Sequence, residues 1–179
     1  MKTRNLARTA ALGLLALSLN APALATSKES IQLIRADKSV RTFTVDSEHV
    51  LQPASASSPV SFVRKASAAE KRALKGLQTK GVIKSQDGSS VMPVLRDATG
   101  QAVGLPGGLI VTFREDLSES DARARLVAAG LKPQEAIIPS IWTVESPAGL
   151  ESIEIANRLN AQGIFADVSP NFWSKKTLK

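Results

Sequence analysis

Acid–base or metal chemistry in this chain would have to be built around one histidine, because His49 is the sole His and no cysteine occurs in 179 residues. Thiolate nucleophiles, thiol redox steps and Cys/His metal cages are therefore excluded by composition. A serine nucleophile is usually announced by a G-x-S-x-G elbow or an S-x-x-K pair, and neither occurs. Glu115-Asp116 and Glu119-Asp121 form the densest group of carboxylates, but they stand where a helix is predicted to begin. Negative charge is favoured there by the helix dipole, which accounts for them better than a calcium site does. Pro106-Gly107-Gly108 lacks the spacing of a phosphate loop and runs into a strand instead of a helix. The strand after it lacks the aromatic pattern of an RNA-binding sheet. These residues predict a protein that is not an enzyme, with no catalytic residues, no metal and no cofactor. His49 reads as a plain surface histidine.

The elements that would position any site are most regular in the back half. Residues 109–113 predict a strand. Ser118-Glu119-Ser120-Asp121 resembles a capping box, and Ala122, Leu126 and Ala129 share one side of the following helix before Gly130 stops it. Residues 133–138 and 141–145 predict two strands joined at Pro139-Ser140, with Trp142 in the core. Residues 150–162 predict a second helix, with Leu150, Ile153, Ala156 and Leu159 on one face and Gly163 as its stop, and residues 164–168 a last strand. The order βαββαβ is the ferredoxin-like arrangement. The expected fold class is thus α+β: an antiparallel four-stranded sheet with both helices on one face and the other face uncovered.

The front half is less regular. Residues 31–34 and 40–45 predict a hairpin around Asp37-Lys38, and residues 52–59, rich in Pro, Ala and Ser, predict a surface linker. Ser67-Ala68-Ala69-Glu70 is a capping box opening a helix over residues 68–79, with Gly81 as its stop. Its basic residues point to a solvated helix. Residues 91–96 and the turn at 98–101 complete a β-containing extension spanning 26–105.

Ahead of both stands a leader. Lys2, Arg4 and Arg8 precede an apolar run over residues 10–19, and Ala23 and Ala25 supply the small-x-small pattern of a signal peptidase site. The expectation is a signal peptide over residues 1–25, cleaved after Ala25, and a periplasmic or secreted product. The run is about half the ~20 residues a membrane span requires, so no stable membrane association is expected. The leader holds three of the 23 basic residues and none of the 16 acidic ones, which reduces the net charge from +7 to +4. With export, this makes nucleic acid an unsuitable partner.

One combination is more specific. Gly108-Leu109-Ile110-Val111-Thr112-Phe113, a helix, a hairpin ending Ile141-Trp142-Thr143-Val144, a second helix, and Phe165-Ala166-Asp167-Val168-Ser169-Pro170-Asn171-Phe172 resemble the N-terminal propeptide domain of subtilisin-like serine proteases. The resemblance spans about residues 107–173. It implies a domain over 106–173 that inhibits a subtilase and templates its folding, with the open sheet face against two protease helices and a tail in the active-site cleft. The implied partner-binding residues are Ser169, Pro170, Asn171, Phe172, Trp173, Ser174, Lys175, Lys176, Thr177, Leu178 and Lys179. Of these, Pro170 to Trp173 leave the sheet and residues 174–179 enter the cleft. Ser169 and Asn171 stand where the family often has carboxylates, so they gain less from helix dipoles. With no protease following Lys179, the expected action is in trans. The alternative is a non-inhibitory periplasmic interaction module of the same fold.

Overall fold

The computed structural model describes residues 30–54, 61–76, 81–85 and 87–174. The expected leader with its cleavage after Ala25, most of the predicted linker, the end of the first predicted helix and Lys175 to Lys179 lie outside the described residues. What is described is α+β, with three helices and two antiparallel sheets of seven and four strands.

The front hairpin forms as the pattern predicts, from β1 (Ser30–Ile34) and β2 (Val40–Gln52). Asp37 makes the turn: its carboxylate accepts the Ser39 N–H at 2.9 Å and the Ser39 hydroxyl at 2.6 Å, while Lys38 takes a left-handed φ of 69°. β2 continues seven residues past the predicted Val45. A bulge between Asp46 and Val50 absorbs the polar stretch that had read as the strand's end, and Val50 and Leu51 then return to the sheet fully buried. β3 (Phe62–Lys65) pairs with β2 and leads into α1 (Ala68–Gly76).

The capping box at α1 forms as read. The Glu70 N–H donates to the Ser67 hydroxyl at 3.3 Å, and the Ser67 N–H donates to the Glu70 carboxylate at 2.7 Å. Leu74 on α1 packs with Val50, Ala66, Ile83 and Val91. β4 (Ile83–Lys84), β5 (Ser90–Asp97) and β6 (Ala102–Gly104) complete the front half, with β5 at the centre of the sheet between β2 and β6.

The back half contains β7 (Leu109–Thr112), α2 (Glu119–Ala128), β8 (Pro133–Ile138), β9 (Ile141–Val144), α3 (Glu151–Gln162) and β10 (Asp167–Pro170). Its sheet order is β10-β7-β9-β8, all antiparallel. Strand burial alternates along β7, β9 and β10. Leu109, Val111, Trp142, Val144 and Val168 meet Ala122 and Leu126 of α2 and Ile153, Ala156 and Leu159 of α3. Each such Leu or Ile removed from water stabilises the fold by about 1.5–3 kcal/mol. Ser118 caps α2 by accepting the Asp121 N–H at 3.2 Å, and Gly163 ends α3 in the left-handed region at φ 68°.

The last strand is a correction: residues 164–168 were expected, and Asp167–Pro170 is found. The Gly163 cap turns the chain outward, leaving Ile164 exposed, and Phe165 is spent on an edge-on contact with Phe113 at 5.5 Å. Pairing with β7 starts only when the Ala166 N–H reaches the Thr112 carbonyl.

One core runs through both halves, since Leu33, Phe43, Leu95, Val103 and Leu105 belong to the same buried cluster as the helix-facing residues of the back sheet. Polar side chains on α3 complete the join. Asn157 accepts the Ile34 N–H at 2.7 Å and donates to the Gln32 carbonyl at 2.8 Å, satisfying the outer edge of β1. Asn160 donates to the carbonyls of Ile34 and Val168 and accepts the Val168 N–H. Arg35 pairs with Asp167 at 2.7 Å.

At a second junction Gly81 lies against Gly149, which has φ 86°. A Cβ on Gly81 would overlap the backbone of Gly149 and Leu150, atoms that no rotamer change can move aside. Gly81→Ala is therefore expected to destabilise by about 2 kcal/mol, the usual scale of overpacking. Denaturant titration with an unchanged m-value checks it.

Candidate functional site

Chemistry at His49 is limited by its surroundings. It is not the plain surface histidine expected: its side chain is 32% exposed, and Nδ1 lies 3.0 Å from Asp46 at the β2 bulge. Burial would raise the Asp46 carboxyl, but the Glu48 N–H, Arg96 at 2.6 Å and His49 together hold it below the usual range. Among the described residues no serine or threonine hydroxyl is bonded to the imidazole, and no three His, Asp or Glu side chains converge as metal ligands. Three of the four carboxylates of the acidic group at α2 are matched locally. Glu119 pairs with Arg123 at 3.0 Å, Glu115 with Arg125 at 3.1 Å, and Asp121 accepts the Ser118 hydroxyl at 2.6 Å. Gly107 and Gly108, at φ 105° and 80°, bend the chain into β7.

The larger feature is the second face of the four-stranded sheet. Two cross-strand rows can be read from the registers: Asp167, Thr112, Ile141 and Ile138 in one, and Ser169, Ile110, Thr143 and Glu135 in the other. Ile110 and Ile141 are half-buried, Ile138 is 49% exposed, and none of the three belongs to a buried cluster. Ile137, at a register shift in the free edge strand β8, is exposed beside them. The face sets Ile110 and Ile141 beside Thr112 and Thr143 on its central strands, flanked by Asp167, Ser169, Glu135 and Ile138 on its edges, and this mixed apolar and polar composition suits a protein partner. An open groove of about 950 Å³ borders it, lined in part by Gly108, Lys132, Glu135, Arg158 and Asn171, and carries both signs of charge.

The C-terminal segment departs from the expected course. Ser169 and Pro170 remain in β10, opposite Ile110 and Leu109, and the Asn171 N–H donates to the Gly108 carbonyl at 3.0 Å. Phe172 does not protrude. Its ring lies 5.4 Å from that of Phe43, with the Arg41 guanidinium 5.1 Å from one ring and 5.3 Å from the other. Trp173 and Ser174 form β11 (Trp173–Ser174), which pairs with Gly104 and Val103 of β6 and so joins the front sheet. Trp173 is half-buried against Leu51, Met92 and Val94. Phe172 and Trp173 thus pack against apolar surface of their own chain, where the resemblance implied contact with a partner. Lys175, Lys176, Thr177, Leu178 and Lys179 lie outside the described residues.

Sequence reasoning missed Arg41, Phe43 and Gly104, the residues that receive this segment. The only trace was the predicted β2, in which Arg41 and Phe43 alternate on one face. Asn157 and Asn160 fall within the helix predicted over residues 150–162, whose pattern gives neither a role. In comparisons with known proteins, no family model matches the chain, and neither a curated protein nor a solved structure gives a significant match.

Proposed function

We propose that this chain is an exported, non-catalytic inhibitor, and folding chaperone, of a subtilisin-like serine protease supplied as a separate chain. The observation that carries the reading is the uncovered sheet face, with Ile110 and Ile141 on its central strands and Ile138 on its free edge, beside the end of β10 from which the C-terminal segment departs. The order β10-β7-β9-β8, with α2 following β7 and α3 following β9, is read as the ferredoxin-like βαββαβ arrangement of the propeptide domains that the sequence resembles. On this reading the face rests on two surface helices of the protease. Residues 175–179 extend about 16 Å at 3.3 Å each, enough to cross several subsites as a product-like strand. No cofactor is needed, because blocking a cleft requires only main-chain pairing and side chains that fit.

The test is titration of residues 26–179 against purified subtilases. The intact chain is expected to inhibit, Ile141→Asp to weaken inhibition at least tenfold with the circular dichroism unchanged, and loss of residues 175–179 to abolish active-site blockage. If the intact chain inhibits no subtilase, the reading falls. The alternative, a non-inhibitory periplasmic interaction module, draws on the internal anchoring of Phe172 and Trp173, which holds both half-buried aromatics against their own chain.

A further inference from the structure

We infer that the front sheet is a platform that positions the tail: β6 and the Arg41–Phe43 pair clamp residues 172–174, so that whatever follows Ser174 leaves from one fixed point. The functional consequence rests on the inhibitor reading above, whereas the clamp itself does not.

Three contacts of different kinds hold the segment. The Asn171 N–H is bonded to Gly108, at the start of β7. Phe172 stacks with Phe43, which is fully buried, and shares the Arg41 guanidinium, itself paired with Asp97 at 3.2 Å. Trp173 and Ser174 extend the sheet edge at β6, with the indole set among Leu51, Met92 and Val94. A segment built to peel away into a cleft would not pack two aromatic side chains against its own chain. The clamp also gives the front half a task, for its strands form a sheet of their own and add none to the back sheet.

Anchoring at Ser174 in place of Pro170 takes residues 171–174 out of any tether to the cleft and fixes the direction of departure, and a shorter tether raises the local concentration of what it carries.

The chain's lack of cysteine allows a direct test. Val103 and Ser174 are cross-strand partners, so Val103→Cys with Ser174→Cys introduces two thiols with no competitor. The expected result is spontaneous disulfide formation in the folded protein, and equal inhibition of a subtilase, within about twofold, by the oxidised and reduced forms of the same variant. Comparing one variant in two redox states cancels any folding cost of replacing buried Val103.

Phe172→Ala is expected to release the segment. Acrylamide should then quench Trp173 more strongly while Trp142, 1% exposed, stays protected, and inhibition should weaken about three- to tenfold. Adding the disulfide to Phe172→Ala should restore inhibition. Failure of the thiols to pair, or a loss of more than tenfold on oxidation, would overturn the platform. If the wild type inhibits no subtilase, the functional reading alone fails, and disulfide formation and quenching still decide the clamp.

Discussion

Asn160→Leu is expected to destabilise the protein by about 4 kcal/mol, because it leaves the buried N–H and carbonyl of Val168 and the part-buried carbonyl of Ile34 without partners, at about 1–3 kcal/mol for each buried group. Asn160 is 4% exposed. Its Oδ1 accepts the Val168 N–H at 2.7 Å, and its Nδ2 donates to the Val168 carbonyl at 2.8 Å and the Ile34 carbonyl at 2.9 Å. One amide therefore holds the edge strand of the back sheet and the edge strand of the front sheet to the same helix. Asn160→Asp is expected to be worse at neutral pH, since a carboxylate oxygen would then face two carbonyl oxygens with no proton between them. That added cost should shrink as the pH falls toward about 4, the ordinary aspartate value, as protonation restores a donor. The neighbouring Asn157 supplies the control. Its bonds to Gln32 and Ile34 are solvent-exposed, so Asn157→Ala is expected to cost no more than about 1 kcal/mol. Equal losses at the two positions in denaturant titrations would refute the ranking.

Glu70→Ala is expected to cost about 3 kcal/mol, at the low end of what removing one partner of a buried pair costs. Glu70 is 1% exposed and takes Arg64 at 2.7 and 2.9 Å, the Ser67 N–H at 2.7 Å and the Ser85 hydroxyl at 2.8 Å. The low end applies because the Arg64 side chain is 30% exposed and its orphaned guanidinium can rehydrate. The Arg64 guanidinium, against the opposing effect of burial, holds this carboxyl far below its usual range, with the Ser67 and Ser85 hydrogen bonds assisting. A carboxyl whose pKa is lowered by folding contributes its full stability above its unfolded value, about 4.3, and loses it as the pH drops further. The wild type should therefore lose stability more steeply than Glu70→Gln between about pH 5 and pH 2. Parallel melting temperatures across that range would remove Glu70 from the account of acid sensitivity.

Glu70 also shows how far local pattern carries. Ser67-x-x-Glu70 announced a helix start, and both reciprocal bonds are present, because a capping box is satisfied within four residues. Nothing in that spacing indicated Arg64 across the turn or Ser85 fifteen residues on. The prospective docking site divides in the same way. Placing Trp142 in the core puts Ile141 on the opposite face of its strand, whereas Leu109-Ile110-Val111 is apolar throughout and only the fold turns Ile110 outward. The aromatic pair Phe172-Trp173 had the composition of an exposed hot spot, yet it is anchored internally by Phe43 and β6, partners 129 and about 70 residues away in the chain.

By itself, the sequence determined the back-half helices and all of the back-half strands but the last, the hairpin at Asp37, the N-terminal caps of α1 and α2 and the lack of any thiol chemistry, since each follows from periodicity, turn residues or composition over a few positions. The tertiary structure alone decided that β2 continues through a bulge, that residues 83–84 and 173–174 are strands, that Asn160 ties two sheets to one helix, and that the C-terminal segment returns to the front sheet. A two-residue strand has no period to detect, and an asparagine's partners depend on which backbone groups the fold leaves unpaired. Their energies arise from contacts between distant parts of the chain, which local pattern does not encode.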